Sequence, residues 1–187
     1  MSSTTSFKVT FKLDEEDAKY FRALFRKARK AAADVDAEEI LGAARALVAS
    51  VRKNKKTPGF VLEAIETLED LTRIIEDKDY AAPKKVVGQV VAALAYFANP
   101  EDLIPDDIPV LGFLDDAIMI KFVEDEFKHE LRAYRKFRKF RAGAEQRPWT
   151  SVATNRMPGR LETMRAKLRA DVERKQQEDE SRGISRF

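Results

Sequence analysis

Between Asn99 and Gly112 the chain reads NPEDLIPDDIPVLG, and its three prolines rule out a continuous helix across this stretch. Pro100, Pro105 and Pro109 each fix their own φ and lack an amide donor, and each pushes the residue before it, Asn99, Ile104 or Ile108, toward extended backbone. A helix arriving from the N-terminal side must therefore end at about Asn99 and cannot resume through Asp106. The loop is stiff by construction, with Gly112 as its one flexible position. Leu103, Ile104, Ile108, Val110, Leu111 and Phe113 are too apolar for a loop in water, so it is expected to pack on the rest of the molecule or on a partner. Packing of that kind buries backbone donors that have no helical acceptor.

Six acidic residues lie between Ala95 and Asp116, and aspartate is the side chain that serves such donors. Asp102 and Asp106 can each accept from amides two or three residues on, Asp115 can cap the helix that follows, and Asp116 favours that helix's positive end. A sharper reading gathers Asp102, Asp106, Asp115 and Asp116 around a hard divalent cation, magnesium or calcium, which takes oxygen ligands. The spacing matches no EF-hand loop. A hydrolytic role for the paired carboxylates would need a second chemical group, and none stands near them in sequence. No cofactor is expected otherwise.

The remainder of the chain carries helical periodicity. Phe7, Val9, Phe11 and Leu13 alternate with Lys8, Thr10 and Lys12, the pattern of a short N-terminal strand, which would need a partner such as the same strand of a second copy. Asp14 is placed to cap a first helix carrying Tyr20, Phe21, Leu24, Phe25 and Ala28. Asp36 with Glu39 resembles a capping box before Ile40, Leu41, Ala44, Leu47, Val48 and Val51. Thr57 and Pro58 supply a cap and a first-turn proline for a third helix striped with Val61, Ile65, Leu68, Leu71 and Ile74. Pro83 opens a fourth, apolar nearly all round from Val86 to Phe97, which points to the centre of a bundle. A fifth helix is expected from Leu114 to about Arg141. Residues 143–159, with Pro148, Trp149, Asn155 and Pro158, read as a loop, and 160–187 as a charged helix and tail with a narrow stripe of Leu161, Met164, Leu168 and Val172. The fold class is thus mainly α, a bundle of five or six helices in residues 1–142 with appendages.

Composition narrows the chemistry. The absence of cysteine removes disulfides, zinc–thiolate sites and thiol catalysis. No phosphate-cradling glycine loop, nucleophile elbow or dinucleotide fingerprint is present. The longest apolar run, Val86 to Ala98, is shorter than the roughly 20 residues of a membrane span, and no secretory leader opens the sequence, so a cytoplasmic location is expected. The net charge of +3 conceals an asymmetry: residues 131–187 hold 16 Lys and Arg against 7 Asp and Glu, leaving 19 against 25 for residues 1–130. A basic tail of this kind either meets an anionic partner or folds against its own acidic body. Its densest part, Arg132, Arg135, Lys136, Arg138, Lys139 and Arg141, interleaved with Tyr134, Phe137 and Phe140, could contact nucleic-acid phosphates or an anionic membrane surface. The one histidine, His129, is expected to be exposed or to cap.

The run Ala95-Tyr96-Phe97, Asn99-Pro100, Asp102-Leu103-Ile104-Pro105-Asp106, Ile108-Pro109, Gly112, Leu114-Asp115-Asp116 resembles the signature of the YkvA-like family, a small bacterial domain of uncharacterised function, over about residues 83–125. The resemblance implies a membrane link, because the segments flanking the loop tend to be apolar in that family. Here Glu101 and Asp107 replace apolar residues, and the second flank runs into Lys121, Glu124, Asp125 and Glu126, which turns the chain away from insertion. The reading is a non-enzymatic interaction or scaffolding protein with an unidentified protein partner. Metal binding by the aspartates, and nucleic-acid or peripheral membrane-surface binding by the basic region, are the alternatives.

Overall fold

The computed structural model describes residues 12, 14–31, 34–54, 57–98, 113–145 and 151–183, without the side chains of 145 and 151–156. They form α1 (Glu15–Ala31), α2 (Ala37–Lys53), α3 (Gly59–Glu76), α4 (Lys84–Leu94) with a 3-10 turn (Ala95–Ala98), α5 (Leu114–Glu126), α6 (Lys128–Glu145) and α7 (Ser151–Ser181). The mainly helical expectation stands, with seven α-helices rather than five or six among the described residues. The N-terminal strand, and with it the strand-mediated dimer, falls outside them.

Local chemistry starts the helices where the sequence indicates. Asp14 Oδ1 accepts from the amides of Glu16 and Asp17 at 2.8 and 2.9 Å, while Asp17 Oδ2 accepts from the Asp14 amide at 3.1 Å, a reciprocal box that satisfies donors the first turn would otherwise leave open. Asp36 caps α2 by accepting from Glu38 at 2.7 Å. Thr57 differs from expectation. Pro58 itself takes the cap position of α3, and the Thr57 hydroxyl instead donates back to the carbonyls of Val51 and Asn54 at 2.9 and 2.8 Å, closing the end of α2.

The helix at the centre is α3, not α4. Val61, Ile65, Leu68, Leu71 and Ile74 are all buried, and α3 packs on α2, α4, α5 and α6. In cores this tight, truncating a large aliphatic residue typically costs about 2–5 kcal/mol. On α4 only Val90, Ala93 and Leu94 are buried, while Val86, Val87 and Val91 are half-buried. Its all-round apolar surface therefore marks a partly open face, because small residues make a helix look uniformly apolar without committing every side to a neighbour.

The expected long fifth helix divides at Phe127, whose φ of −99° and ψ of 15° end α5. No proline or glycine lies at the break. Tertiary packing sets it: α5 lies against α3, and the change of direction lets α6 pack on both α3 and α7. The expected loop at 143–159 is corrected as well, since α6 continues through residue 145 and α7 begins at Ser151 and passes through Pro158. A proline in mid-helix costs about 3 kcal/mol in isolation. Here the docked stretch beyond it, with Leu161, Leu168 and Val172 buried, carries the helix through. Among the described residues no helix is long and apolar enough to cross a membrane.

The far end of α7 is clasped to the start of α6. Asp179 Oδ2 receives Lys128 Nζ at 2.6 Å and pairs with His129 Nε2 at 2.7 Å. His129 is 9% exposed at its side chain, so the expectation of an exposed histidine is replaced by a packed one. The Lys128 hydrogen bond first and the His129 ring second hold the Asp179 carboxyl down at about 2. Because this folded pKa is depressed, its stabilisation is present above the ordinary carboxylate range and is lost as pH falls through the folded value. The amide protection factors in the last turns of α7 should accordingly fall as pH drops from 3.8 toward about 2, and Asp179→Asn should remove that acid-dependent step. Protection in this segment that is unchanged across the interval would contradict the clasp.

Candidate functional site

Three carboxylates, Asp70 and Glu130 buried and Asp77 half-buried, organise the polar chemistry between α3, α6 and α7. Asp70, on the inner face of α3, is 6% exposed, and its two oxygens receive Arg135 Nε and Arg138 Nη1, each at 2.7 Å. Arg135 also donates to the Thr67 hydroxyl at 3.2 Å. A charge removed from water needs this degree of satisfaction, and two guanidinium donors on separate oxygens provide it.

Asp77 ends α3 and shapes the turn that follows. Its Oδ1 accepts from the amides of Asp79 and Tyr80 at 3.0 and 3.1 Å, and its Oδ2 accepts from the Tyr134 hydroxyl at 3.1 Å. Arg141 closes the arrangement with bonds of 2.9 Å to both oxygens and a further one of 3.1 Å to Asp79. Burial alone would raise the Asp77 pKa; the Arg141 hydrogen bond, the Tyr80 amide and Tyr134 outweigh it and hold the carboxyl below its ordinary value. The turn also contains Ala81 at φ 49°, a left-handed conformation that costs an L-residue about 1–2 kcal/mol and persists because the surrounding bonds fix it.

Glu130 is the third. It is 2% exposed, and its Oε1 accepts from the Tyr80 hydroxyl at 2.7 Å and from Arg169 Nη1 at 2.5 Å. The Arg169 guanidinium lies 4.5 Å from the centre of the Tyr80 ring, which in turn meets Tyr134 edge-on at 4.9 Å. Burial raises both phenols, with Glu130 reinforcing the effect at Tyr80 and Asp77 at Tyr134. Both therefore remain protonated donors at physiological pH, and neither is suited to act as a base or nucleophile. The network can bind α6 and α7 to the α3–α4 turn; it holds no nucleophile paired with a base.

Part of the expected anion-binding cluster is thereby accounted for. Arg135, Arg138 and Arg141 turn inward to the chain's own acids. Arg132, Lys136 and Lys139, at i, i+4 and i+7 on α6, remain exposed and make no ion pair among the described residues. Of the aspartates considered for a cation, Asp102 and Asp106 lie outside the described residues, as do Asn99, Pro100, Pro105, Pro109 and Gly112. Asp115 is buried and Asp116 half-buried in the first turn of α5, whose cap position is Phe113 rather than Asp115. Among the described residues no group of three or more His, Cys, Asp and Glu is placed to hold a metal ion.

A concavity lies elsewhere, between α1, α3 and α5. It is a groove of about 610 Å³, with Ala64, Leu114, Ala117, Ile118 and Phe122 among its apolar lining and Phe60 at its edge. Phe60 is 44% exposed, and Leu62 beside it and Tyr20 on α1 are also exposed. Sequence periodicity could not single out this groove. Phe60 reads as one more residue of an amphipathic stripe, and only the approach of α5 shows that it stands at an opening.

The groove borders the segment in which the comparisons concentrate. Residues 86–122, from α4 into α5, match the family described as protein of unknown function (DUF1232). A 100-residue stretch, 53% of this chain, is 35% identical to 92% of the uncharacterized membrane protein YkvA of Bacillus subtilis (strain 168). No solved structure matches the chain. With nearly the whole length of that relative aligned, and the proline–aspartate run inside the matched segment, this chain belongs to the YkvA-like family of unknown function.

Proposed function

We propose that this protein is a non-enzymatic interaction module, and that the groove between α1, α3 and α5 is its contact surface. The observation that carries the reading is an apolar concavity with the exposed ring of Phe60 in its lining. An exposed apolar side chain standing alone means little, but one that lines an apolar cleft marks a surface that gains by being covered. The inward commitment of Asp70, Asp77 and Glu130 supports the same view, since the buried charges serve the scaffold and leave it rigid. Helix α5 brings Leu114, Ala117 and Ile118 to the groove.

The double variant Phe60→Ser/Ile118→Ser is expected to lose capture of the cellular partner by the full chain, with a weakening of at least tenfold, while the cooperative melting transition is retained. Capture that survives both substitutions in a folded protein would remove the groove from the account.

A second reading is favoured by a separate observation. The relative that matches over most of its length is named a membrane protein, and Arg132, Lys136 and Lys139 present a basic stripe that makes no ion pair among the described residues. Peripheral contact of α6 with an anionic bilayer surface fits both. Each cation near such a surface is worth about 1 kcal/mol. Replacing all three by Gln should then lower co-sedimentation with phosphatidylserine-containing vesicles about 100-fold, by that same figure. Equal binding to purely phosphatidylcholine vesicles would count against this reading.

A further inference from the structure

The groove's edge carries charge of one dominant sign. Glu63 on α3 and Glu124 and Asp125 on α5 are three carboxylates among its lining residues, against one ammonium, Lys121. Lys121 is already engaged, with Glu124 at 2.8 Å and Asp125 at 3.4 Å, whereas Glu63 is exposed and makes no ion pair among the described residues. From α1 only Ala18 lines the groove; the exposed Glu15, Glu16 and Asp17 precede it in the first turn. An apolar floor and an acidic border therefore occur at one place.

From this complementarity we infer that the groove receives an amphipathic protein segment whose apolar face is flanked by lysine or arginine. The inference rests on the groove being a contact surface and adds the chemistry of what fills it. An apolar strip seated on Ala64, Ala117 and Ile118 would be covered on one side by Phe60, and its flanking cations would lie within reach of Glu63 and Asp125. A helix laid into a groove is read through anchors at i, i+3, i+4 and i+7, and the small residues Ala64 and Ala117 leave depth for such anchors. The acidic border adds discrimination, since a segment flanked by carboxylates would meet like charge on both sides. The same border disfavours a nucleic acid or an anionic lipid headgroup at this face.

The test uses the full chain and two fluorescently labelled amphipathic peptides of identical leucine pattern, one with lysine and one with glutamate at the polar positions. The lysine peptide should bind with an affinity that falls as salt rises, and the glutamate peptide should bind at least tenfold more weakly. Glu63→Gln/Asp125→Asn, both exposed positions, should fold as the parent does and lower affinity for the lysine peptide at least tenfold. Equal affinity for the two peptides would overturn the inference. So would binding that is lost in Phe60→Ser but untouched by Glu63→Gln/Asp125→Asn, a result that would keep the groove as a contact surface. Binding of the lysine peptide that appears only after removal of residues 1–13 would assign the groove to the chain's own N-terminal segment, and concentration-dependent self-association abolished by the same charge variants would assign it to a second copy. Either result would overturn the inference.

Discussion

A carboxylate taken out of water must be met by donors, and in this molecule buried Asp70 and Glu130, with half-buried Asp77 beside them, decide where the C-terminal third of the chain lies. Asp70 and Asp77 sit on and just beyond α3, and Glu130 opens the inner face of α6. They are met by Arg135, Arg138, Arg141 and Arg169. Arginine suits the task because its planar guanidinium reaches two acceptors at once and never loses its charge. At Glu130, 3% exposed at its side chain, removing Arg169 leaves a buried charge uncompensated, which typically costs about 3–5 kcal/mol. The basic tail is thus first of all a counter-charge for the body it follows. Arg132, Lys136 and Lys139 are the part of its densest run that remains turned outward.

Tyr80 and Tyr134, donating to Glu130 and Asp77 and meeting edge-on, fix the α3–α4 turn against α6. The groove adjoins this network, since Thr67, which accepts from Arg135, is among its lining residues, and the exposed ring of Phe60 lines it as well. Polar bonds of this kind hold α3 and α6 in place beside the cleft.

Much of the helical architecture was legible in the sequence, and the reasons for success and failure are physical. Asp14 and Asp36 cap where a short-range rule places them, because a cap depends on residues within one turn of each other. Failures came where long-range packing overrides local preference. Nothing near Phe127 announces a break, and Pro158 would stop an isolated helix yet lies within α7. The fourth helix looked central because its apolar residues are numerous, but they are small, and half of that surface is not covered. At the candidate site, Arg135, Arg138 and Arg141 were legible as a cluster but not as partners of Asp70 and Asp77, which lie more than 60 positions away in the chain. Glu130 and Arg169, 39 positions apart, gave no signal at all. Opposite charges at such separations can be paired only once the fold is known.

The central claim is that internal pairing of buried carboxylates with the basic C-terminal region holds the scaffold together. A double-mutant cycle on Glu130 and Arg169, using Glu130→Gln and Arg169→Gln with chemical denaturation of all four proteins, tests it most directly. The account predicts that the two effects are strongly non-additive, with a coupling of about 2–3 kcal/mol, near the upper end of values for groups in contact. Additive effects, with a coupling close to zero, would contradict it.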